Sequence, residues 1–521
     1  MAGQDTIYKD KFDSFFAGIP DDIRILTQGA SAVVQHFDIF TNPKRLTPFR
    51  NMVADENTTY EIVNFLWANS VLYGQGVVAA SAKNKIFYKA TDPITGSWTA
   101  ASSGESASGA RGTLLFKEFY NYIYLAAAGN PRISYYGDIT GVPTFNETAY
   151  DLNGAGVGMP TAAGLITSDD LLLVPCGRYM VKKDGAGAGP TSNWSVALTL
   201  PANQTIVDQV EFGDLVAIAT IPAAGYGGNN PSRVHLWDKV SPDVSATIDF
   251  GEGNIYVLDN MEGTLVGLIN VGGQNTFGIR PRLVVRQWTG GTKADVIKEV
   301  QVDNATSFTV YGSNVKAKKG NKLVFGIQMT INGVAYHQLM ALGRKNASYP
   351  YALAFDRLVD NDVAITSIQG LGDLGDYYFV AHNANGSVNR VNDQNSYGTG
   401  GTLATSVFIT PKINGENQLQ DASRWNKSMV MGGIITAPLT TGQSVSLYYR
   451  KDGDTSWTLV RTYSYGDDTP GMGFESGTIV GTGMGFDNFK EAQFKAIGNG
   501  GAEILAVPYA WKLAGADVIS E

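Results

Sequence analysis

Short β-branched and aromatic runs, punctuated by Gly, Asn, Asp or Pro, recur about every 40–50 residues from position 58 to position 395. With 61 glycines in 521 residues and only 17% charged residues, this recurrence predicts an all-β chain: a β-propeller of about seven blades followed by a C-terminal β-sandwich or jelly roll. Usual contents are ~7% Gly and ~25% charged, so tight turns are many here and solvated helix faces few. An apolar content of 44% is enough to bury a real core and excludes disorder for most of the chain. The glycines have no three-residue period, which excludes collagen.

Residues 1–31 read as an N-terminal arm. Its segment 8–18 could form one short helix with Phe12, Phe15 and Phe16 on one side, stopped by Pro20. The propeller is expected over 32–395. Its recurring units run Thr58–Ala101, Thr113–Phe145, Ala162–Leu200, Gln204–Phe250, Asn254–Val302, Phe308–Phe355 and Asp362–Asp393. The last is short by about one strand, and the strand-forming segment 32–41 has no partner of its own. Pairing the two would close the ring and hide two sheet edges. Asn395–Thr402 reads as a linker. Strand-like runs then fill 396–521, with Asp452-Gly453 as a hairpin turn between two of them.

The net charge of −9 and pI near 5.1 argue against a nucleic-acid binder, which would carry a basic stripe. A single cysteine, Cys176, excludes a disulfide framework and a Cys-based zinc site. No basic, then apolar, leader is seen at the N-terminus. No run approaches the ~18 apolar residues of a membrane span. Asn57, Asn193 and Asn203 open Asn-x-Ser/Thr triplets, read as chance in an Asn/Ser/Thr-rich chain.

Few residues suggest chemistry. His36, His235, His337 and His382 lie far apart without metal or triad spacing. The acidic pairs Asp169-Asp170, Asp360-Asn361-Asp362 and Asp467-Asp468 are candidates for glycosidase carboxylates, but adjacent acids in turns usually bond to their own backbone. Thr91–Trp98 and Asp452–Trp457 resemble the Asp-box of sialidase propellers, with the wrong Asp-to-Gly spacing; a turn followed by a core Trp is the plainer reading. Lys316–Lys322 is the one basic run, expected to cap a turn and lacking the interleaved aromatics that single-strand binding needs. Tyr135, Tyr136, Tyr377, Tyr448 and Tyr449 lie in strands, where neighbours face opposite sides. They are candidates for intersheet packing, a subunit interface or a sugar platform. No catalytic, cofactor or metal site is expected.

Phe37–Pro48, the irregular blades without WD or kelch marks, and Val445–Val460 together resemble structural proteins of tailed bacteriophages. The first resembles the arm opening propellers encoded among tail genes, the last a hairpin of C-terminal β-domains in tail and tail-tip proteins. More distantly the chain resembles the nozzle proteins of short-tailed phages. The resemblance implies a non-enzymatic virion component, assembled in the host cytoplasm with other tail or neck proteins. It also implies a homo-oligomeric ring near genomic DNA, without membrane insertion. The alternatives are a receptor- or glycan-binding virion protein and a propeller enzyme acting on glycans.

Overall fold

The computed structural model describes residues 7–12, 33–35, 37–40, 42, 44–48, 52–54, 61–78, 83–89, 92–94, 96–100, 114–127, 131–137, 144–158, 160–161, 164–185, 189–224, 231–272, 281–301, 305–331, 333–358, 364–371, 378–382, 388–391, 405–416, 418–419, 422–466, 479–482 and 486–514. The chain divides into two compact units. One comprises Met1–Asn51, Met340–Arg357 and Asn392–Glu521; the other comprises Met52–Leu339 and Leu358–Val391.

The second unit is built of antiparallel sheets in chain order. Blade 1 is Glu61–Ala68, Val71–Val78, Lys83–Lys89 and Thr99–Ala100; blade 2 is Leu114–Phe119, Tyr122–Ala127, Arg132–Gly137 and Thr144–Asp151. Blade 3 is Ile166–Ser168, Leu171–Cys176, Tyr179–Asp184 and Trp194–Thr199; blade 4 is Gln204–Phe212, Leu215–Pro222, Arg233–Trp237 and Ala246–Asp249. Blade 5 is Asn254–Met261, Thr264–Val271, Arg282–Trp288 and Asp295–Gln301. Blade 6 opens with Ala305–Val310 and Lys316–Lys319, both paired with Lys322–Ile331. Blade 7 is Ile365–Gly370, Tyr378–His382 and Val388–Val391, completed by Met52–Ala54.

The opening strands of blades 1 to 5 touch in succession, Ala305–Val310 packs on Thr264–Val271 and Arg282–Trp288, Lys316–Lys319 touches Ile365–Gly370, and Ile365–Gly370 returns to Glu61–Ala68. This is a β-propeller of about seven blades. Apolar clusters fill the gaps between blades. Tyr73, Ile86, Leu125 and Tyr136 lie between blades 1 and 2. Tyr124, Ile133, Leu172 and Cys176 lie between blades 2 and 3.

The closing strand is not the one expected. Val33–Gln35, inside the predicted 32–41 strand, pairs with Ser406–Ile409 on one side and runs parallel to Ala352–Leu358 on the other. The ring is closed by Met52–Ala54, with Met52, Val53 and Ala54 opposite Val391, Arg390 and Asn389. The physical reason lies in the residues between. Phe37, Ile39, Phe40 and Leu46 are buried in the first unit, Leu46 and Ile504 exchange backbone hydrogen bonds of 2.9 and 3.1 Å, and Arg45 pairs with Glu503 at 2.9 Å. With 33–48 held there, the next apolar triplet is left for the edge.

The helix expected over 8–18 is also corrected. Tyr8–Phe12 is a strand, antiparallel to Ile504–Leu513 with Phe12 opposite Val507. An isolated helix this short is marginal in water. The strand gains ladder hydrogen bonds, the Phe12–Tyr509 stack at 5.4 Å and a bond from Tyr509 to Asp10. Residues 13–20 lie outside the described residues. In the first unit, Tyr8–Phe12, Ile504–Leu513, Lys427–Thr436 and Ile479–Thr482 follow one another in one sheet. A second contains Val33–Gln35, Ser406–Ile409, Ala492–Asn499, Ser444–Lys451 and Thr458–Ser464 in that order. The boundaries at 51/52 and 391/392 differ from the expected 31/32 and 395/396, and the linker expected over 395–402 lies outside the described residues.

Candidate functional site

The first hairpin of several blades turns on two residues with positive φ. These are Asn69-Ser70 (49°, 59°), Tyr120-Asn121 (48°, 60°), Asp169-Asp170 (43°, 60°) and Glu262-Gly263 (51°, 79°). Two consecutive left-handed residues make the type I′ turn, whose twist matches that of the strands it joins. The acidic pair Asp169-Asp170 is therefore blade 3's copy of a repeated turn. Its side chains are engaged: Asp169 takes the Lys239 ammonium, and Asp170 accepts a 2.7 Å bond from the Tyr120 hydroxyl. Around them lies a cleft of about 370 Å³ lined by Glu118, Tyr120, Ser168, Asp169, Asp170 and Glu211. Ser168 Oγ donates to Glu211 at 2.8 Å and accepts from Lys239 at 3.3 Å. No histidine stands by this serine to activate it, and the Asp169 side chain is 68% exposed. As arranged, the cleft can hold hydroxyls, and among the described residues it has no activated nucleophile.

The inner strands carry the denser polar network. Each of blades 1, 4, 5, 6 and 7 has a register shift in its first strand, as between Ile62 and Asn64 or Ile206 and Asp208. A bulge re-aims the residue after it. Asn64, Asp208 and Ser367 all follow such a shift, and all are buried. Ser367 Oγ donates to Asn64 Oδ1 at 2.7 Å. Asp208 accepts from the backbone of Gln209 (2.9 Å) and Leu258 (2.7 Å) and pairs with Lys316 at 2.5 Å. Burial raises the Asp208 carboxyl above its ordinary value, against the opposing pull of Lys316. Lys318 pairs with Asp259 at 2.7 Å and donates to the Asn260 carbonyl. The basic run thus reaches from blade 6 to carboxylates of blades 4 and 5. It is a strand whose alternate lysines are neutralised internally.

The remaining candidates are dispersed. Tyr136 is buried in the cluster between blades 1 and 2, because that side of its strand faces the neighbouring blade. Tyr135 is half-buried against Tyr122 and Tyr124 toward blade 3. Tyr377, Asp360–Asp362, Asp467-Asp468, Asn57 and His36 lie outside the described residues. His235 is buried between Gln204, Thr220 and Thr247, and burial lowers its imidazole to about 4. His337 sits against the Tyr311 hydroxyl; of His382 only the backbone is described. Burial pushes the Cys176 thiol up to about 12, so it is inert. Asp92 accepts from Ile94 N at 2.8 Å, and Trp98 packs on Phe65, so the first Asp-box-like stretch is a turn with a core Trp. Among the described residues no group of His, Cys, Asp and Glu could hold a metal ion.

In the first unit, Tyr448 and Tyr449 are half-buried on a strand flanked by Ala492–Asn499 and Thr458–Ser464. Lys495 lies opposite Tyr448, its ammonium 4.5 Å from the Tyr448 ring and 4.9 Å from that of Trp457. Arg450 is 4.6 Å from the same Trp457 ring. Burial, and then Arg450 beside it, lower the Lys495 ammonium.

Sequence reasoning missed a second repeat. Lys89 ends the third strand of blade 1 and Lys183 is next to last in that of blade 3, both almost fully buried. Each donates to carbonyls of the following loop and lies near a Trp at the next strand, Trp98 at 5.2 Å and Trp194 at 5.8 Å. The shared signal is a Lys at or next to the end of a strand followed, past a turn-rich loop, by a Trp.

No family model matches the chain. No curated protein matches it. Among solved structures, the β-propeller domain of Cps50 (Swd1) from Myceliophteria thermophila is 12% identical, with a TM-score of 0.41, covering 65% of this chain and 99% of that one. The extracellular domain of the hybrid two component system BT4673 from B. thetaiotaomicron is 12% identical with a TM-score of 0.40, covering 76% of this chain and 44% of that one. A protein from Lactobacillus plantarum is 14% identical with a TM-score of 0.38, covering 61% and 90%. Scores this low carry no argument, and the propeller rests on its own strand pairing.

Proposed function

We propose that the protein is a non-enzymatic structural component of a tailed-bacteriophage virion, part of the tail, tail tip or nozzle. It acts there as a rigid block in a symmetric homo-oligomeric ring. In this reading the two sheets of the first unit are the layers of a C-terminal β-sandwich, and the partners are further copies and other tail or neck proteins. One observation carries it: two lysines of blade 6 are committed to carboxylates of the neighbouring inner strands, Lys316 to Asp208 and Lys318 to Asp259. Such bonds suit a stiff ring rather than a reactive centre. The resemblance of Phe37–Pro48 supplies the virion context, and its buried anchors suit an arm that locks a building block. A net charge of −9 suits passage of DNA by repulsion.

The test is the native mass by light scattering after size exclusion. A single species several-fold above 55.7 kDa is expected; a monomer that stays monomeric with candidate tail partners overturns the ring. The second reading, a glycan-active enzyme, is favoured by one observation, the acidic cleft beside Tyr120. Asp169→Asn with Asp170→Asn separates the two: lost glycan turnover selects the enzyme, and unchanged assembly without turnover selects the block.

A further inference from the structure

Charges of both signs line a cleft of about 360 Å³ where blade 5 meets the end of blade 4, a size that suits a small molecule. One wall is the third strand of blade 5. Arg282, Val284 and Arg286 alternate onto one face of it, with Glu299 opposite Val284 and Val296 opposite Arg286. Four residues of strand set the two arginines about 13 Å apart. The facing wall is Asp249 with Gly251 and Glu252 just after it. Backbone bonds clasp the walls together. Asp249 N donates to the Thr292 carbonyl at 2.9 Å and Ala294 N to the Asp249 carbonyl at 3.0 Å, which holds Lys293 beside Asp249. Arg286 donates to the Ala294 carbonyl at 3.0 Å and lies against Gly251, where a Cβ would come within 2.6 Å of the guanidinium. Most of these charges are left unspent. Arg282 meets Glu299 at 3.3 Å, but among the described residues Arg286, Lys293, Asp249 and Glu252 form no ion pair. The Nε–H groups of Arg282 and Arg286 are buried without an acceptor, which is costly for groups taken out of water. The inner-strand pairs Lys316–Asp208 and Lys318–Asp259 show the opposite arrangement.

We propose that this cleft binds a small aliphatic zwitterion, an α-amino acid or a dipeptide. Arg286 and Lys293 take its carboxylate by charge-assisted bonds. Glu252 takes its ammonium, helped by the second carboxylate oxygen of Asp249, whose first accepts from Gly251 N at 2.6 Å. Val271 and Val284, both buried, and the half-exposed Val296 take the aliphatic part. Charge balance selects the zwitterion. The lining sets Arg282, Arg286 and Lys293 against Asp249, Glu252 and Glu299, so a ligand of one sign meets repulsion from half of it. Among the described lining residues none is aromatic, so a base or a sugar ring finds no stacking platform. An amino acid fills the Arg286 end, and a dipeptide reaches on toward the Arg282–Glu299 pair. The inference goes beyond the virion reading and stands without it.

The test is titration calorimetry on the full chain with leucine, leucyl-leucine, N-acetyl-leucine and leucinamide. Leucine or leucyl-leucine should bind. The two derivatives, each lacking one charge, should bind about tenfold more weakly or not at all. Tighter binding of leucyl-leucine assigns the site to a peptide; equal or tighter binding of leucine assigns it to the free amino acid. Arg286→Gln should weaken the zwitterion by about tenfold or more. Glu252→Gln, at an exposed position, should weaken it by a similar factor and leave any binding of N-acetyl-leucine unchanged, a pattern that unfolding cannot produce. The bound zwitterion should also slow amide exchange within 293–299. No binding of either zwitterion, equal or tighter binding of a derivative, or indifference to Glu252→Gln would each overturn the proposal.

Discussion

Lys316 and Lys495 carry the same charge in opposite circumstances. Lys316, on an inner strand of the propeller, meets a buried carboxylate that also takes two backbone N–H groups. Lys495, in the first unit, meets the rings of Tyr448 and Trp457 instead. A charge with an internal counter-ion is closed to the outside and holds the fold. A charge resting on aromatic rings is held by the weaker attraction of a cation for a ring face. The basic run that drew attention in the sequence is of the first kind, and the lysine that drew none is of the second.

The contrast is broken most directly at Lys316. Lys316→Ala strands the Asp208 carboxylate and should cost about 3–5 kcal/mol in urea unfolding. Lys316→Met with Asp208→Leu should recover most of that, since an apolar pair of similar volume often replaces a buried ion pair without loss. A single-mutant cost under about 1 kcal/mol, the range of an exposed pair, would remove the ion pair from the account of ring rigidity.

His235 gives the next effect. Its folded imidazole is lowered from 6.5 to about 4, so the folded state disfavours protonation. The stability contribution is full above pH 6.5, falls as the pH drops from there to about 4, and is constant below. The fall should be about 3 kcal/mol. Melts across that window should show this limb, and His235→Gln should flatten it; an unchanged profile would deny His235 its role.

Lys495→Ala sharpens the other side. With its ammonium only on ring faces, the change should cost no more than about 1 kcal/mol, far less than Lys316→Ala. A loss as large as that at Lys316 would make both cations structural. Smallest of all, Asp169→Asn with Asp170→Gly puts the preferred type I′ dipeptide into blade 3's turn and should stabilise by a few tenths to about 1 kcal/mol in thermal melts. Destabilisation would mean that the Asp170–Tyr120 and Asp169–Lys239 contacts outweigh turn chemistry.

The recurring blades were legible because β-branched runs and turn residues alternate along the chain. The Asp452-Gly453 hairpin was legible for the same reason, and its φ values of 44° and 84° fit a type I′ turn. The closing strand was not, since Met52–Ala54 is too short to carry a pattern and becomes the edge partner only because 33–48 is anchored elsewhere. The inner-strand network was hidden for a different reason. A bulge changes which side a residue faces without changing composition, so Asp208 reads as one more polar strand residue. Lys316 and Asp208 are brought together only by the ring. The acidic pair, by contrast, was readable as a turn from its residue types, and the structure adds which turn.

Closure by Met52–Ala54 also sets a timetable. Val53 finds its partner only when Arg390 has been made, and Tyr8–Phe12 waits until Val507–Trp511. At about 5–20 residues per second, synthesis leaves these early strands unpaired on the ribosome for tens of seconds. Strands early in the chain thus need partners made hundreds of residues later, so the nascent chain must be kept from pairing with other chains until those partners have emerged.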